Sequence, residues 1–325
     1  MYLGDCLAED KGIWMSSFIA FVMDPMERVN PAHDTSFAFM LAAQARGFRV
    51  LHVLPKDIDL EPQALTFRGS ELKVVDRKTD FFEVLNTSEV GEADVKAVFI
   101  RTDPPFDEAY LNVTWLLSFA ERRGLKVINS PAGVRSANEK LYALEFPQLC
   151  PDTMVTASKA VARRFLEKHQ GVAIAKPLDG HGGFGVLKLS HDDTNVSAIL
   201  DLLTAEERQP IILQEYLPAA SEGDKRLILI DGQLKGAITR IPKKGDHRGN
   251  VHVGGSVVRC EPDARDHAIA AAMTERLKAD GLYFVGLDVI DGMLIEVNVT
   301  SPTLIREIRD LGGPDLAEEV FSSLF

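Results

Sequence analysis

A single segment near the C-terminus, residues 284–302, constrains the fold more than any other part of the chain. Two runs rich in Val, Ile and Leu flank an Asp-Gly pair at 291–292, which predicts a β-hairpin. These apolar runs also contain Asp288, Glu296 and Asn298. Buried carboxylates are costly unless a partner compensates their charge, and Mg²⁺, which takes oxygen ligands from carboxylates and phosphates, is the expected partner. The alternative is a hairpin with one solvated polar face.

The length of the turn decides whether the three polar side chains share a face. A two-residue turn pairs Asp288 with Ile295 and places it on the face opposite Glu296. A three-residue loop over residues 290–292 instead places Asp288 on the face that Glu296 and Asn298 share. This longer loop is chemically plausible, because its glycine suits the left-handed position of a bulged turn. The metal-site hypothesis therefore requires the longer loop.

Composition limits the classes of function that the chain can serve. With 325 residues the protein is too long for one compact core, so two or three subdomains are expected. The formal net charge of −12 argues against general nucleic-acid binding. No apolar run approaches the ~20 residues that span a bilayer, and no signal peptide is expected. Cys6, Cys150 and Cys260 are too few and too far apart for a disulfide framework or a zinc site, which indicates a reducing, cytoplasmic location.

The order of the predicted elements divides the chain. Residues 1–17 show no clear period and are expected to form a separate, disordered tail. From residue 18 to a boundary at 131–140, strands alternate with helices, which predicts a parallel, doubly wound sheet. Beyond this boundary strands dominate. The first part contains strands at 18–23, 50–54, 97–100 and 126–129 and helices at 34–47, capped by Asp34, and 108–123; the second contains strands at 172–176, 185–189, 211–216, 227–231 and 234–240, a helix at 263–280 and the terminal hairpin.

The segment 176–186 is rich in glycine and begins with Lys176. It matches G-x-G-x-x-G, but a strand rather than a helix follows, so it is not the Rossmann fingerprint, and no P-loop pattern occurs in the chain. A glycine-rich turn between two strands lets backbone N–H groups approach phosphate oxygens, and a lysine adds positive charge. The segment therefore predicts a turn that covers phosphates, with a loose hairpin loop as the alternative.

Two further features fit nucleotide chemistry but are less specific. Residues 214–218, at the end of a predicted strand, can offer backbone groups to an adenine edge. The polar, glycine-rich segment 242–255 is typical of a mobile lid, although charged runs are more often solvated surface. Arginine pairs bidentately with carboxylates and phosphates, so cations near these segments are candidates for the site. They are Arg226, Arg240, Lys243, Lys244, Arg248 and Arg306.

Ten short motifs are spread over residues 18–325. They are M-D-P at 23–25, D-T-S-F-A at 34–38, R-T-D-P-P-F-D at 101–107, N-E-K at 138–140, K-P-L-D-G at 176–180, G-D-K-R at 223–226, R-I-P at 240–242, R-G-N at 248–250, G-L-D at 286–288 and E-V-N-V-T-S-P-T at 296–303. In this order the motifs resemble the ATP-grasp superfamily and, within it, the bacterial glutathione synthetases.

The resemblance implies an α/β fold of ATP-grasp architecture. An N-terminal substrate domain with a parallel, doubly wound sheet would occupy residues 18–137, and two α+β subdomains that clasp ATP would occupy 138–325. The lid subdomain is expected at about 140–215 and the C-terminal subdomain at about 216–325. A homotetramer is the assembly that the family suggests.

The resemblance also implies roles for individual residues. Two Mg²⁺ ions, with Mn²⁺ as a substitute, would be bound by Asp288, Glu296 and Asn298. The transferred phosphate and the acyl phosphate would be faced by the catalytic residues Arg226, Arg240 and Arg248. The peptide substrate would be contacted by Asn30, Asp34 and Ser36. ATP would be bound by Lys140, Lys176, Gly182, Gly183, Glu215, Tyr216, Leu217, Asp224 and Asn298.

The implied reaction joins γ-glutamylcysteine and glycine, with ATP, to give glutathione, ADP and phosphate. Phosphorylation turns a carboxylate oxygen into a good leaving group, so an acyl phosphate forms and no side-chain nucleophile is needed. The partners would be these small molecules, without nucleic acid or membrane. One alternative is another ATP-grasp carboxylate–amine ligase, which adds glutamate or joins D-alanines. A second alternative is a nucleotide-binding regulator that kept the fold without catalysis.

Overall fold

The computed structural model describes residues 17–180, 182–243 and 255–325, so nearly all of the predicted tail lies outside the described residues. Within these ranges, fifteen strands form three sheets. The strands are β1 (Phe18–Val22), β2 (Arg49–Leu60), β3 (Leu65–Val74), β4 (Phe82–Gly91), β5 (Val95–Ile100), β6 (Lys126–Ile128), β7 (Thr153–Thr156), β8 (Val172–Pro177), β9 (Leu187–Ser190), β10 (Ile211–Glu215), β11 (Asp224–Ile230), β12 (Gln233–Ile241), β13 (Ser256–Arg259), β14 (Phe284–Ile290) and β15 (Met293–Asn298).

Eight α-helices cover these sheets in the described ranges. They are α1 (Thr35–Ala45), α2 (Glu108–Arg122), α3 (Pro131–Ser136), α4 (Lys159–Lys168), α5 (Val196–Leu203), α6 (Ala264–Ala279), α7 (Ile305–Asp310) and α8 (Leu316–Leu324). Short 3₁₀ helices lie at Met26–Arg28, Glu92–Asp94, Tyr142–Glu145, Pro147–Leu149 and Pro218–Ser221. Asp34 caps α1 by accepting a hydrogen bond from the Phe37 backbone N–H at 2.7 Å, as the sequence predicts.

The first sheet has the strand order β4-β3-β2-β1-β5-β6. Strands β2, β1, β5 and β6 are parallel to their neighbours in that part of the sheet, which confirms the predicted parallel arrangement. Strands β3 and β4 extend it as antiparallel neighbours of β2, so the whole sheet is mixed. The sequence pattern does not reveal these two strands, because six of the ten β4 residues are exposed and no apolar alternation marks it.

Helices cover both faces of the first sheet. Val22 of β1 packs in the core that α2 contributes to, and its neighbour Phe21 packs in the core that contains residues of α1. Successive side chains of a strand point to opposite faces, so a strand buried on both faces reads as a continuous apolar run. The predicted doubly wound arrangement is therefore confirmed.

The other two sheets are antiparallel. The second has the order β7-β10-β8-β9 and the third the order β13-β12-β11-β14-β15. Asn129, directly after β6, joins the first sheet to the third: its side-chain amide donates to the Phe284 and Val299 carbonyls at 2.8 Å each. Its carbonyl oxygen accepts from the Phe284 backbone N–H at 2.7 Å. One buried amide thus fixes the start of β14 and the end of β15 against the N-terminal sheet.

The β14–β15 hairpin corrects the predicted turn. The connection is a two-residue turn, since Ile290 pairs with Met293, and both turn residues, Asp291 and Gly292, have positive φ of 50° and 69°. The three-residue loop that the metal-site hypothesis required is wrong. A register shift inside the hairpin restores the common face, because Asp288 pairs directly with Glu296 instead of Ile295.

Among the residues that the structure describes, no helix is both long enough and apolar enough to cross a membrane.

Candidate active site

An open cleft of about 920 Å³ lies between the second and third sheets. Strands β8 and β10 line one side of it, strands β12, β14 and β15 line the other, and the glycine-rich turn after β8 borders it. Most of the predicted site residues line this cleft: Lys140, Lys176, Gly182, Gly183, Glu215, Tyr216, Leu217, Asp224, Arg240, Asp288 and Glu296. The structure therefore brings together residues that are as much as 156 positions apart in the chain.

A band of alternating charge crosses the third sheet at this cleft. Cross-strand pairing places Arg240 opposite Asp224 and Arg226 opposite Asp288. Arg226 donates to the Asp288 carboxylate through Nε at 2.6 Å and through Nη2 at 3.2 Å. Arg240 Nη2 lies 2.8 Å from Asp288 Oδ2 and also contacts Asp224, whose Oδ1 accepts from Arg240 Nε at 3.1 Å. Two guanidinium groups and two carboxylates thus interlock across three strands.

This pairing keeps the central groups of the band charged. Although burial acts to raise it, Arg226 and Arg240 hold the pKa of the Asp288 carboxyl well below its usual range. Although burial acts to lower it, Asp288 and Asp224 raise the pKa of Arg240. Guanidinium carries five N–H donors, more than these carboxylates use, so donors remain for an anion that enters the cleft.

Two buried lysines stand beside the band. Lys140 Nζ lies 3.1 Å from Glu296 Oε1 and also donates to the Gly180 carbonyl at the glycine-rich turn. Lys176 donates to Gln214 Oε1 at 3.1 Å. Burial, reinforced by the like charge of Lys140, lowers the pKa of Lys176 to about 8. An uncompensated cation of this kind gains most when a multiply charged anion binds next to it.

Glu139 positions Lys140 without lining the cleft itself. Its carboxylate accepts from the Val299 and Thr300 backbone N–H groups at 2.8 and 3.0 Å, and its carbonyl accepts from Val297 N–H at 2.9 Å. Burial, together with the charge of Glu296, raises the pKa of the Glu139 carboxyl. The segment that carries Lys140 is therefore tied to the end of β15, where Glu296 lies.

The glycine-rich turn connects β8 and β9, as predicted. Gly182 has φ of +58°, and a Cβ built on it meets no atom within 4 Å. Its glycine is therefore required by backbone conformation rather than by lack of space. Gly286 is the opposite case: a Cβ there would lie 3.1 Å from both Arg226 Cδ and Pro302 Cβ. The glycine of the G-L-D motif leaves room for Arg226 to reach Asp288.

An apolar wall of the cleft was not predicted from the sequence. It consists of Ile174, Val186, Leu217, Ile290 and Ile295, of which only Leu217 was predicted as a site residue. Ile174 stands two residues before Lys176 on β8, so strand alternation could have identified it. Ile295 is the residue that the register shift in the hairpin leaves without a direct partner. Its contact with the cleft could not be read from the sequence, because the shift is not visible there.

Two predicted site residues that the structure describes, Arg226 and Asn298, do not line the cleft. Arg226 lies directly behind it, since its guanidinium is engaged by Asp288, which does line it. Asn298 donates from Nδ2 to the Gly286 carbonyl at 3.3 Å and pairs with that residue across the hairpin. Arg248, with residues 244–254 of the predicted lid, lies outside the described residues.

The oxygen ligands at this end of the hairpin fit a hard divalent cation. Asp288 and Glu296 face each other across β14 and β15, and the hydrogen bond of Asn298 through Nδ2 leaves its amide oxygen available. Within the described residues, no group of three or more Asp, Glu, His or Cys side chains could hold a metal by itself. Mg²⁺ commonly takes only one or two protein carboxylates and completes its shell with phosphate oxygens and water. These residues therefore suit a metal that arrives with a nucleotide.

Comparison with known families decides the assignment. Residues 18–135 match the model of the prokaryotic glutathione synthetase N-terminal domain, and residues 139–313 match that of the prokaryotic glutathione synthetase ATP-grasp domain. The chain belongs to the prokaryotic glutathione synthetase family. Membership of the prokaryotic glutathione synthetase family confirms the predicted class of enzyme, an ATP-dependent carboxylate–amine ligase.

Curated relatives agree over nearly the full length. The glutathione synthetase of Thermosynechococcus vestitus is 43% identical over 94% of this chain and 99% of the relative, and that of Synechococcus elongatus is 42% identical over 94% and 97%. The glutathione synthetase of Rhodopseudomonas palustris is 39% identical over 94% and 97%.

Solved structures support the predicted ATP-grasp fold. A D-cycloserine synthetase, DcsG, superimposes with a TM-score of 0.66 at 18% identity and covers 95% of this chain and 98% of its own. A RimK domain ATP-grasp protein from Sphaerobacter thermophilus superimposes with a TM-score of 0.60 at 17% identity over 95% and 99%. At such low identity the likeness concerns the fold and not the substrate.

A second group of buried polar residues lies where α7 meets the N-terminal sheet. We call it the α7 junction; it comprises the buried residues Thr35, Arg101, Arg306 and Glu307, together with the exposed His33 at its edge. His33 Nδ1 lies 2.7 Å from Glu307 Oε1, whereas Glu307 Oε2 is buried without a hydrogen-bond partner. Arg306 donates through Nη2 to Asp76 at 2.6 Å, but its Nε and Nη1 have no partner. The sequence analysis named Arg306 as a candidate cation near the nucleotide segments, but it lies at this junction and not among the residues that line the cleft, and Glu307 was not singled out.

The peptide-contact residues that were predicted from the family lie at the same junction, but their polar groups are partly used. Asp34 caps α1, and Ser36 Oγ accepts from Arg101 Nε at 3.0 Å. Asn30 Oδ1 accepts from the Ala32 backbone N–H at 3.2 Å. These hydrogen bonds shape the start of α1, and direct contact of these three residues with a peptide stays a prediction.

Proposed function

We propose that this protein joins γ-glutamylcysteine to glycine at the expense of ATP, through an acyl phosphate, in the cleft between the second and third sheets. The observation that carries the proposal is the paired charge band, in which Asp288 is held between Arg226 and Arg240 beside Glu296 and the two buried lysines. Such an arrangement is suited to accept several negative charges at once without reorganising.

The nucleotide would lie across the cleft. The apolar wall and the backbone of Tyr216 and Leu217 suit an adenine ring, whose edge needs both a donor and an acceptor. Lys140 and Lys176 suit the phosphates, and Gly182 and Gly183 line the same cleft, where their backbone N–H groups would approach phosphate oxygens. Asp224 would hold the nucleotide through Arg240, to which it is bound.

In the first step the cysteinyl carboxylate of γ-glutamylcysteine attacks the γ-phosphate of ATP. The bond between the carboxylate oxygen and phosphorus forms as the bond to the ADP oxygen breaks. In the second step the amine of glycine attacks the acyl phosphate and expels phosphate. Arg240 and Arg226 would stabilise the charge that grows on the transferred phosphoryl group and on the tetrahedral intermediate.

Metal binding belongs to this proposal. Asp288, Glu296 and Asn298 would hold two Mg²⁺ ions, with Mn²⁺ as a substitute, and the Lys140–Glu296 pair would open to release one carboxylate oxygen. Bound Mg²⁺ would neutralise phosphate charge and orient the leaving group.

Covalent catalysis by a cysteine is disfavoured in the described part of the chain. Burial raises the pKa of the Cys150 thiol to about 11 and also raises that of Cys260. A thiol is a nucleophile only as the thiolate, which is scarce at neutral pH for both groups. This supports a route through a phosphorylated substrate rather than a phosphorylated or acylated enzyme.

The α7 junction is the proposed site for the γ-glutamyl end of the peptide. That end carries an α-carboxylate and an α-ammonium group. The unpartnered N–H groups of Arg306 suit the carboxylate, and the unpartnered oxygen of Glu307 suits the ammonium. Buried polar atoms without partners are costly, so a ligand that completes them gains affinity.

Several sequence-based predictions stay part of the proposal. They are the domain and subdomain boundaries, the homotetramer, the cytoplasmic location and the role of Arg248.

The test is substrate-dependent release of ADP and phosphate by the purified protein. We expect both products to require γ-glutamylcysteine and glycine together with ATP and Mg²⁺. Replacing the acceptor pair by two D-alanines, or by a peptide and glutamate, should leave release at the background rate. Release with either alternative pair, and none with γ-glutamylcysteine and glycine, would assign the chain to the alternative class of ligase. Nucleotide binding without release in any mixture would favour the regulator.

A further inference from the structure

Three successive residues, Asn138, Glu139 and Lys140, bond to both sides of the cleft; we call them the N-E-K segment. Asn138 donates from Nδ2 to the Leu178 carbonyl at 3.1 Å, and Lys140 donates to the Gly180 carbonyl, so the segment holds the base of the glycine-rich turn after β8. Glu139 accepts hydrogen bonds from the end of β15, on the third sheet. The N-E-K segment therefore connects the turn of the second sheet to the hairpin of the third.

The orientation of the Asn138 amide is fixed by the backbone next to it. Its Oδ1 accepts from the backbone N–H groups of Lys140 and Leu141, at 3.2 and 3.0 Å. An amide whose oxygen accepts two N–H groups must turn its NH₂ group away from them, because that group can only donate. Here the NH₂ group meets the Leu178 carbonyl. Asn138 thus has two separate contacts: its oxygen shapes its own loop, and its NH₂ group holds the turn.

The glycine-rich turn has a packed base and an open tip. A Cβ built on Gly180 or on Gly185 would lie 2.9 Å from Pro177, so both ends of the turn fold closely onto β8. At the tip, a Cβ built on Gly182 meets no atom within 4 Å, and Phe184 is 78% exposed. The N-E-K segment bonds to the packed base, so it sets the place of the whole turn relative to the third sheet.

We propose that Asn138 is a positioning residue for phosphoryl transfer. When Lys140 turns from the Gly180 carbonyl to the nucleotide phosphates, the bond of Asn138 keeps the base of the turn beside the end of β15. Phosphates under the turn are then aligned with Glu296 and the charge band, and a misplacement of about 1 Å can cost about 10²-fold in rate. The inference rests on the proposed function, and it adds a residue that does not itself line the cleft.

Two variants separate positioning of the turn from stabilisation of the loop. Asn138→Asp keeps the oxygen that accepts from the Lys140 and Leu141 N–H groups but loses the NH₂ donor, whereas Asn138→Ala loses both. If the NH₂ group positions the turn, both variants should have the same kinetic defect, and only Asn138→Ala should be less stable to urea. A defect that both share is not due to charge, because only one of them adds a charge.

Hydrogen exchange of the full-length protein, measured by mass spectrometry, tests the anchoring without any reaction. In both variants the backbone amides of residues 178–186 should exchange about three- to tenfold faster than in the wild-type protein, as the loss of one hydrogen bond predicts. The amides of residues 296–300 should be unchanged, because Glu139 still holds them. Asn86→Asp, at an exposed position of β4, is the control for the added charge. Unchanged exchange over residues 178–186 in both variants would overturn the proposal.

Steady-state kinetics test the link between the anchored turn and the reaction. In Asn138→Asp and Asn138→Ala the kcat for tripeptide formation should fall by about tenfold, and phosphate released per tripeptide should rise above one, because a displaced turn admits water to the acyl phosphate. A residue that only stabilises its loop would leave this ratio at one. Faster exchange with a wild-type kcat and a ratio of one would overturn the proposal, as would wild-type behaviour of Asn138→Asp. A wild-type protein that forms no tripeptide would instead contradict the proposed function, and the exchange data would still show whether Asn138 holds the turn.

Discussion

The ATP cleft and the α7 junction differ in whether their buried arginines are paired with carboxylates. In the cleft, Arg240 is engaged by Asp288 and Asp224, and these interactions raise its pKa. At the junction, Arg101 is equally buried but forms no ion pair with another described residue, and burial lowers its pKa. It donates to Ser36 Oγ and to the Pro302 carbonyl, each at 3.0 Å.

The buried side-chain atoms that lack a hydrogen-bond partner also distinguish the two regions. Among the described residues, the buried side-chain atoms without a hydrogen-bond partner belong to Thr35, Arg306 and Glu307 at the junction, to Tyr110 on α2 and to Asp266 on α6. None belongs to a residue that lines the cleft. The buried side-chain atoms of the cleft thus have hydrogen-bond partners within the protein, although Lys176 stays an uncompensated cation, whereas the junction leaves polar atoms for a ligand to satisfy. A preorganised site favours catalysis, and an unsatisfied site favours selective binding.

The largest effect is expected from Glu296→Gln, which removes a proposed metal ligand from the cleft. Ligation should fall by about four orders of magnitude, because charge on the transferred phosphate is no longer neutralised. Steady-state phosphate release measures this, and Glu222→Gln, at an exposed position outside the cleft, serves as the matched control. Wild-type turnover of Glu296→Gln at saturating Mg²⁺ would remove this residue from the metal site.

The free energy of unfolding should distinguish Arg240, which is paired with carboxylates, from Arg101, which is not. Arg240→Ala leaves Asp288 and Asp224 buried with less compensation, so the free energy of unfolding should fall by about 4 kcal/mol. Arg101→Ala breaks no ion pair between described residues, although it removes a cation near Asp34, and should cost only about 1–3 kcal/mol through lost hydrogen bonds. Urea denaturation of the two variants gives both values. Equal losses of unfolding free energy in the two variants would show that the pairing of the two arginines does not differ in its effect on stability.

The kinetics of Arg240→Ala test whether Arg240 takes part in the reaction. Its proposed partner is charge that grows during transfer, so kcat should fall more than the KM for ATP rises. An unchanged kcat would show that Arg240 supports the fold of the third sheet and takes no part in the reaction.

A smaller, selective effect is expected at the junction. Glu307→Gln removes the negative charge proposed to pair with the α-ammonium group, so the KM for γ-glutamylcysteine should rise by about 10- to 100-fold. The KM for ATP should stay within twofold, because the residue does not line the cleft. Glu319→Gln, on α8, is the control. A change in the KM for ATP that matches the change for the peptide would mean that the junction acts through the fold.

The smallest expected effect is the pH dependence of the dissociation constant for ATP. Lys176 has a pKa lowered to about 8, so it is protonated below pH 8 and loses its charge as pH rises through that value. Bound phosphates favour the charged form and raise this pKa. The dissociation constant for ATP should therefore be flat below pH 8 and rise by up to about tenfold per pH unit above it. Calorimetric titration from pH 7 to 9.5 measures this, and Lys176→Met should remove the rise.

Sequence alone predicted the elements whose residues are buried on a regular period. The parallel strands of the first sheet, helices α1 and α2 and the terminal hairpin all carry clear apolar patterns or caps. Strands β3 and β4 were not predicted from the sequence, because their outer faces are polar. The hairpin turn was predicted wrongly, yet the same-face arrangement of Asp288 and Glu296 holds through a register shift that no local pattern encodes.

For the candidate site, sequence identified charged groups and glycines but not their partners. Arg226 and Asp288 could be named, whereas their pairing depends on which strands are neighbours, a tertiary fact. The apolar wall was not predicted, because the sequence does not distinguish an isoleucine or valine that lines a cleft from one that lies in a core. Arg306 was named only as a candidate cation near the nucleotide segments, and its place beside Glu307 was not predicted, because a missing hydrogen-bond partner is visible only in three dimensions.

The central claim is that this cleft activates a carboxylate as an acyl phosphate, and isotope transfer tests it most directly. γ-Glutamylcysteine labelled with ¹⁸O in its cysteinyl carboxylate is converted in the presence of glycine, ATP and Mg²⁺, and the released phosphate is analysed by mass spectrometry. Attack of that carboxylate on the γ-phosphate carries one labelled oxygen into each phosphate. We expect one ¹⁸O per phosphate and one phosphate per tripeptide. Tripeptide formed with unlabelled phosphate would contradict the account.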